Sequence, residues 1–190
     1  MAPATGKLLF LGFLLLAAAS STPAAATTLT LHNLCPYPVW PLVTPNTGFP
    51  SISDNTGRLD GGGRGLVSLR FPPGFWAGRV VARTGCGCGS GSGGSAGAAC
   101  ETGASPPATV VQLAVHAEGR DLAAYSVSLV DGFNVPAVVS PQAVGGGQCP
   151  ALGCAADLNA GCPRAQRVVG ARGTWWRAGA PRGTSRSGAR

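Results

Sequence analysis

The chain has 190 residues, room for one domain of ordinary size, and Gly (30) and Pro (16) together make about a quarter of it. Long helices, coiled coils and helical repeats are excluded, because Gly costs roughly 1 kcal/mol and Pro roughly 3 kcal/mol per helix-interior position relative to Ala. The formal charge is +7, yet residues Thr27 to Pro163 carry six arginines against seven acids, and the excess lies in the seven arginines from Arg164 to Arg190. A body without a basic stripe gives no reason to expect a nucleic-acid partner.

The first element is a leader. Met1 to Ala26 holds one cation, Lys7, followed by the apolar run Leu8 to Ala19. That run is too short for a membrane span, which needs about 20 residues. Small residues at Ala24 and Ala26 suit a signal peptidase, so cleavage is expected between Ala26 and Thr27, and the mature chain is expected to be secreted. No Asn-x-Ser/Thr acceptor occurs, so N-glycosylation is not expected.

Short β runs follow in chain order. Thr28–Leu31 alternates polar and apolar, the period of a half-buried strand. Asn33 to Pro41 is too proline-rich for a helix. Leu66–Phe71, Arg79–Thr84, Val110–His116 and Tyr125–Val130 read as further strands, and Val138-Val139 as the start of another. Gly/Pro punctuation between them argues a mainly β domain, a sandwich or barrel.

Seven cysteines in a secreted chain point to disulfides, and the odd count leaves at least one without an intrachain partner. Cys149, Cys154 and Cys162 have a spacing that could hold a metal, but a fourth ligand is missing, so no metal is expected. No cofactor is expected either: Gly89-x-Gly91-x-x-Gly94 matches a dinucleotide fingerprint only in letters, with no helix-forming sequence after it. His32 and His116 fall on expected strands and read as structural.

The order of motifs is specific. Asn33-Leu-Cys-Pro-Tyr-Pro-Val-Trp40, Trp76-Ala-Gly-Arg-Val-Val-Ala-Arg-Thr-Gly-Cys86, Cys100-Glu-Thr-Gly103, Pro106-Pro-Ala-Thr109 and Tyr125-Ser-Val-Ser-Leu-Val-Asp-Gly-Phe-Asn134 are followed by Gly147-Gln-Cys-Pro150, Cys154-Ala-Ala-Asp-Leu-Asn159 and Cys162-Pro163. Over residues 28–170 this resembles the thaumatin-like proteins, the plant pathogenesis-related family 5. The resemblance implies an antiparallel β-sandwich with disulfide-rich loops, the second domain incomplete. It also implies a cleft lined by an arginine and four acids, linked to β-1,3-glucan binding, weak hydrolysis in some members and antifungal action.

Carried over residue by residue, the arginine matches Arg79, the first acid falls on Gln112, the second on Ser126 and the third on Asp131. The fourth would lie in a C-terminal third without counterpart. A glycosidase needs two carboxyls about 5–9.5 Å apart, so efficient catalysis is not expected. Arg79 and Asp131 remain as contacts to sugar hydroxyls, or alternatively as a buried structural ion pair. The resemblance further implies a Cys86–Cys100 bridge. It makes Cys88 an extra, and places the usual partners of Cys35, Cys149, Cys154 and Cys162 beyond the matched segment, with Cys149–Cys154 as a makeshift pair.

Beyond Gly170 the family pattern stops. Thr174-Trp-Trp-Arg177 back-translates so that a two-base shift gives Val-Val-Ala, a sequence similar to the family's at this point. Residues 171–190 are therefore expected to be an out-of-frame reading or a genuine basic, disordered tail. The functional expectation is a monomeric, secreted defence protein of the apoplast or cell wall that binds β-1,3-glucan. A weak endo-β-1,3-glucanase and a degenerate, unstable product are the alternatives.

Overall fold

A computed structural model describes residues 27–52, 57–87, 100–116, 123–142, 149–170 and, for the backbone alone, 175–177. The leader with its Ala26 cleavage position, Cys88 and most of the arginine-rich stretch lie outside these residues. Among the described residues ten strands follow in order: β1 (Thr28–Asn33), β2 (Trp40–Pro45), β3 (Gly65–Arg70), β4 (Phe75–Arg83), β5 (Val110–His116), β6 (Ala124–Ser128), β7 (Ala137–Val139), β8 (Leu152–Cys154), β9 (Arg167–Val169) and β10 (Trp175–Arg177). The one helical element among the described residues is a 3-10 turn at Arg164–Gln166.

The pairing is antiparallel throughout. A four-stranded sheet runs β2-β4-β5-β6, and β1 pairs with β3 in a separate ribbon. The mainly β architecture expected from the sequence is what forms, with the ribbon packed over one face of the larger sheet. Alternation in β4 sets the two faces. Trp76 and Val80 point to the ribbon, joining Val43, Leu69, Phe71, Leu113 and Val115 in the main core. Arg79 and Val81 point the other way, and Val81 packs with Val110, Ala108 and Leu42 in a smaller cluster. Burying a residue such as Leu or Phe in the main core contributes roughly 1.5–3 kcal/mol.

Trp76 is wholly buried, its indole 5.1 Å from the Phe71 ring and its Nε1–H donating to the Pro50 carbonyl at 3.0 Å. Gly78 makes this arrangement fit, since a Cβ there would collide with the indole and with the Thr44 carbonyl.

Two buried asparagines hold the irregular segments. The Asn33 side-chain amide donates to the carbonyls of Tyr37, Leu59 and Asp60 at 2.9–3.1 Å, and its Oδ1 accepts from Cys35 N–H. That closes the proline-rich loop after β1, which supplies no strand ladder of its own. Asn134 donates to the Ala82 carbonyl (2.8 Å) and to Thr102 Oγ1 (2.9 Å), and accepts from the Thr109 N–H (2.9 Å). It ties the turn after β6 to β4 and to the segment entering β5.

Between β1 and the main sheet lies a cavity of about 500 Å³, lined by Leu31, Val39, Val80, Val111 and Val135 together with Cys35, Tyr37 and Asp157. Burial pushes the Cys35 thiol upward, and Asp157 pushes it the same way. Tyr37 is raised as well, by burial first and then by Cys35. A raised thiol favours the neutral form. Its stabilisation is complete below the ordinary thiol pKa and is lost as pH rises through the raised folded value. Iodoacetamide near neutral pH is therefore expected to label exposed Cys149 before Cys35, with Cys35 catching up only in alkali; mass mapping of the alkylated peptides checks the order.

In the arginine-rich stretch the backbone of β10 pairs with β9, Trp175 opposite Val169 and Arg177 opposite Arg167. A three-residue strand thus stands inside the segment expected to be an out-of-frame reading or a basic, disordered tail.

Candidate functional site

The outward face of the four-stranded sheet brings three of the four expected cleft residues onto one rung. Arg79 on β4 lies directly opposite Gln112 on β5, which lies opposite Ser126 on β6. Thr44 on the edge strand β2 completes the row. All three of Arg79, Gln112 and Ser126 are exposed. Directly opposed residues have Cβ atoms about 4.5–5.5 Å apart, so the rung is a continuous strip of hydrogen-bonding groups. Ser126 Oγ donates to Gln112 Oε1 at 3.2 Å, which engages the amide oxygen and leaves the NH₂ end out of that bond.

Asp131 is not on this rung. It follows the end of β6 in a turn, half-buried, where its carbonyl accepts the Ala108 N–H at 3.0 Å. Ala108 precedes Gln112 by four positions, which at strand rise is about 13 Å along the sheet. Arg79 is exposed on the rung, whereas Asp131 is half-buried in its turn. The arginine that is buried is Arg83, at 2% exposure on the same face, donating from Nε to the Trp40 carbonyl (3.2 Å); burial lowers its pKa. Sequence reading passed over Arg83, and the one available signal was its place two residues beyond Val81 on the same face of a strand.

The rung carries an amide and a hydroxyl where a hydrolase would need two carboxyls. Neutral donors and acceptors beside one cation suit polar, uncharged hydroxyl-bearing ligands. Among the described residues no group of three or more His, Cys, Asp and Glu side chains could hold a metal ion.

The cysteines divide clearly. Cys86 and Cys100 form a disulfide spanning a sequence separation of 14. Cys35, Cys149, Cys154 and Cys162 are free, so the makeshift Cys149–Cys154 bridge does not form. β8 carries Cys154 into its hairpin with β7, where its Sγ donates to the Ala156 carbonyl, while Cys149 lies exposed before the strand. Cys162 is buried and its thiol turns to the carbonyls of Pro163 and Gln166. Removing the Cys86–Cys100 bridge as the double Ala variant is expected to cost about 3 kcal/mol by the loop-entropy estimate; urea unfolding, with midpoint and slope fitted separately for each protein, measures it.

Comparison with known proteins closes the assignment. A family model described as "Thaumatin family" matches residues 33–183. The chain is 40% identical over 147 residues to an osmotin-like protein of Solanum lycopersicum, covering 71% of this chain and 55% of that protein. It is 37% identical over 174 residues to thaumatin-like protein 1 of Prunus persica, covering 86% and 68% of the two chains. It is 36% identical over 161 residues to a glucan endo-1,3-beta-glucosidase of Prunus avium, covering 80% and 63%. The chain thus spans between 55% and 68% of the length of these relatives. The chain belongs to the thaumatin family.

Proposed function

We propose that this chain is a secreted plant defence protein of the apoplast or cell wall that binds β-1,3-glucan, with antifungal effect and without efficient catalysis. The observation that carries the reading is the Arg79–Gln112–Ser126 rung, an exposed row of one cation, one amide and one hydroxyl on a rigid sheet. Elements of regular structure hold such groups more tightly than loops do. Sugar hydroxyls both donate and accept, and the rung offers both. The apolar leader supports the secreted part of the reading. Among the described residues no helix is long and apolar enough to cross a membrane.

A second reading, weak endo-β-1,3-glucanase, is favoured by the Prunus avium relative of that name. It requires two carboxyls about 5–9.5 Å apart, and Gln112 and Ser126 supply none. The test is calorimetric titration with laminari-oligosaccharides, alongside a reducing-end assay. The expected result is saturable binding that weakens about tenfold in Arg79→Ala, since a charged hydrogen bond contributes roughly 1.5–3 kcal/mol, with no reducing ends released. Unchanged binding in that variant removes the rung from the site, and release of reducing ends establishes the second reading.

A further inference from the structure

The rung is one end of a longer trough on the same face. Alternation along β4 sends Phe75, Ala77 and Arg79 to this side, while Trp76 and Val80 enter the main core. On β5 the matching residues are His116, Ala114 and Gln112, paired with Phe75, Ala77 and Arg79 in that order. On β6, Ala124 and Ser126 continue the rows opposite Ala114 and Gln112. The face therefore reads, from one end to the other, as an aromatic pair, a floor of three alanines, and the polar rung. The steps follow strand rise, which places Phe75 about 13 Å from Arg79.

Phe75 is 45% exposed although its neighbour Trp76 is wholly buried. Its ring packs against two others: the His116 ring lies 4.9 Å away and tilted, and the Phe49 ring 5.5 Å away in a T-shaped arrangement. A single exposed aromatic is ordinary on a protein surface. What sets this one apart is the ground beside it. Between ring and rung stand only alanines, Ala77 at 8% exposure, Ala114 half-buried and Ala124 exposed, where longer side chains would stand in the way.

We propose that Phe75, held by His116 and Phe49, is a stacking platform for a pyranose ring of a saccharide chain whose hydroxyls engage Arg79, Gln112 and Ser126. The inference rests on the reading of the rung as a saccharide site. The face of a pyranose carries C–H groups and is apolar, while the face of an aromatic ring is electron-rich. Stacking on Phe75 removes apolar surface of both from water without leaving any hydroxyl unpaired, since those project sideways. A ring held by two neighbouring rings gives up little freedom on binding, which is where preorganised sites gain affinity. The alanine floor accommodates the sugars between the two ends.

The experiment titrates laminarihexaose (β-1,3-linked) and cellohexaose (β-1,4-linked) into the wild type, Phe75→Leu, Phe75→Trp and Arg79→Ala, each first matched for unfolding midpoint. Phe75→Leu keeps the bulk and loses the ring; Phe75→Trp keeps a ring. The expected result is about tenfold weaker laminarihexaose binding in Phe75→Leu, equivalent to about 1.4 kcal/mol, with Phe75→Trp close to wild type. Wild-type affinity in Phe75→Leu together with loss in Arg79→Ala overturns the platform and leaves the rung reading standing. Loss in Phe75→Leu with none in Arg79→Ala supports the platform and removes the rung. Ring-dependent binding of cellohexaose alone supports the platform and overturns the β-1,3 preference. Binding of neither sugar overturns both.

Discussion

Asn134→Ala is expected to cost about 3–5 kcal/mol, a large part of the roughly 5–15 kcal/mol that holds a domain folded. Asn134 is 1% exposed, and its side chain serves three separate segments: the Ala82 carbonyl at the end of β4, Thr102 after the disulfide, and the Thr109 N–H before β5. Truncation leaves these groups buried with a partner gone, and each orphaned group costs about 1–3 kcal/mol. Part of the network would survive, because Thr102 Oγ1 also meets Thr84 Oγ1 at 2.6 Å and Thr109 Oγ1 donates to the Val135 carbonyl at 2.8 Å. Asn134→Asp offers a finer probe. It keeps the acceptor for Thr109 and loses both donors, and it places a carboxylate facing the Ala82 carbonyl. Urea unfolding of the two variants checks the expectation; a loss below about 1 kcal/mol in Asn134→Ala would mean that the turn after β6 is held by Phe133 packing instead.

Trp76→Ala is the second large effect, about 3–5 kcal/mol on the usual scale for deleting a buried indole. The indole fills the main core beneath the aromatic end of the trough, against Phe71, and lies over Gly78 where no side chain intervenes. Its loss opens a cavity between ribbon and sheet and orphans the Pro50 carbonyl. Trp76→Phe separates the two contributions in large part, since it retains most of the apolar volume while removing the hydrogen bond. Its cost is expected to be about 1–2 kcal/mol, read from the same midpoint shift. Equal losses in the two variants would contradict a packing role for the indole.

The central strands were legible because their alternation is physical. Val110–His116 forms β5 over the expected residues, and Thr28–Leu31 and Leu66–Phe71 are found with ends shifted by one or two positions. β4 begins earlier than expected, at Phe75, because Trp76 is a core residue and not part of the turn after Gly74. β2 went unread because Pro41 and Pro45 interrupt it. Proline is tolerated there since β2 is the edge of its sheet and need donate to one neighbour only. The three-residue strands β8, β9 and β10 are too short to show a period.

The site was legible to a different degree. Arg79, Gln112 and Ser126 lie far apart in the chain, and it is cross-strand register that aligns them; the family resemblance pointed to the positions, while pairing sets them side by side on one face. Asp131 shares the motif but not the rung, because the strand ends at Ser128 before it is reached. Phe75 carried no sequence signal, since an exposed and a buried aromatic look alike until the face of the strand is known. The fates of the cysteines were likewise not in the spacing. Four residues lie between Cys149 and Cys154, yet the intervening chain turns into β8 and the two thiols stay free.

The most direct test of the account is sedimentation of the purified protein with insoluble β-1,3-glucan, with reducing ends measured in the same supernatant. The account predicts that wild-type protein pellets with the polysaccharide, that Arg79→Ala remains largely in solution, and that no reducing ends appear. Wild-type protein left in the supernatant, or reducing ends accumulating with time, would contradict it.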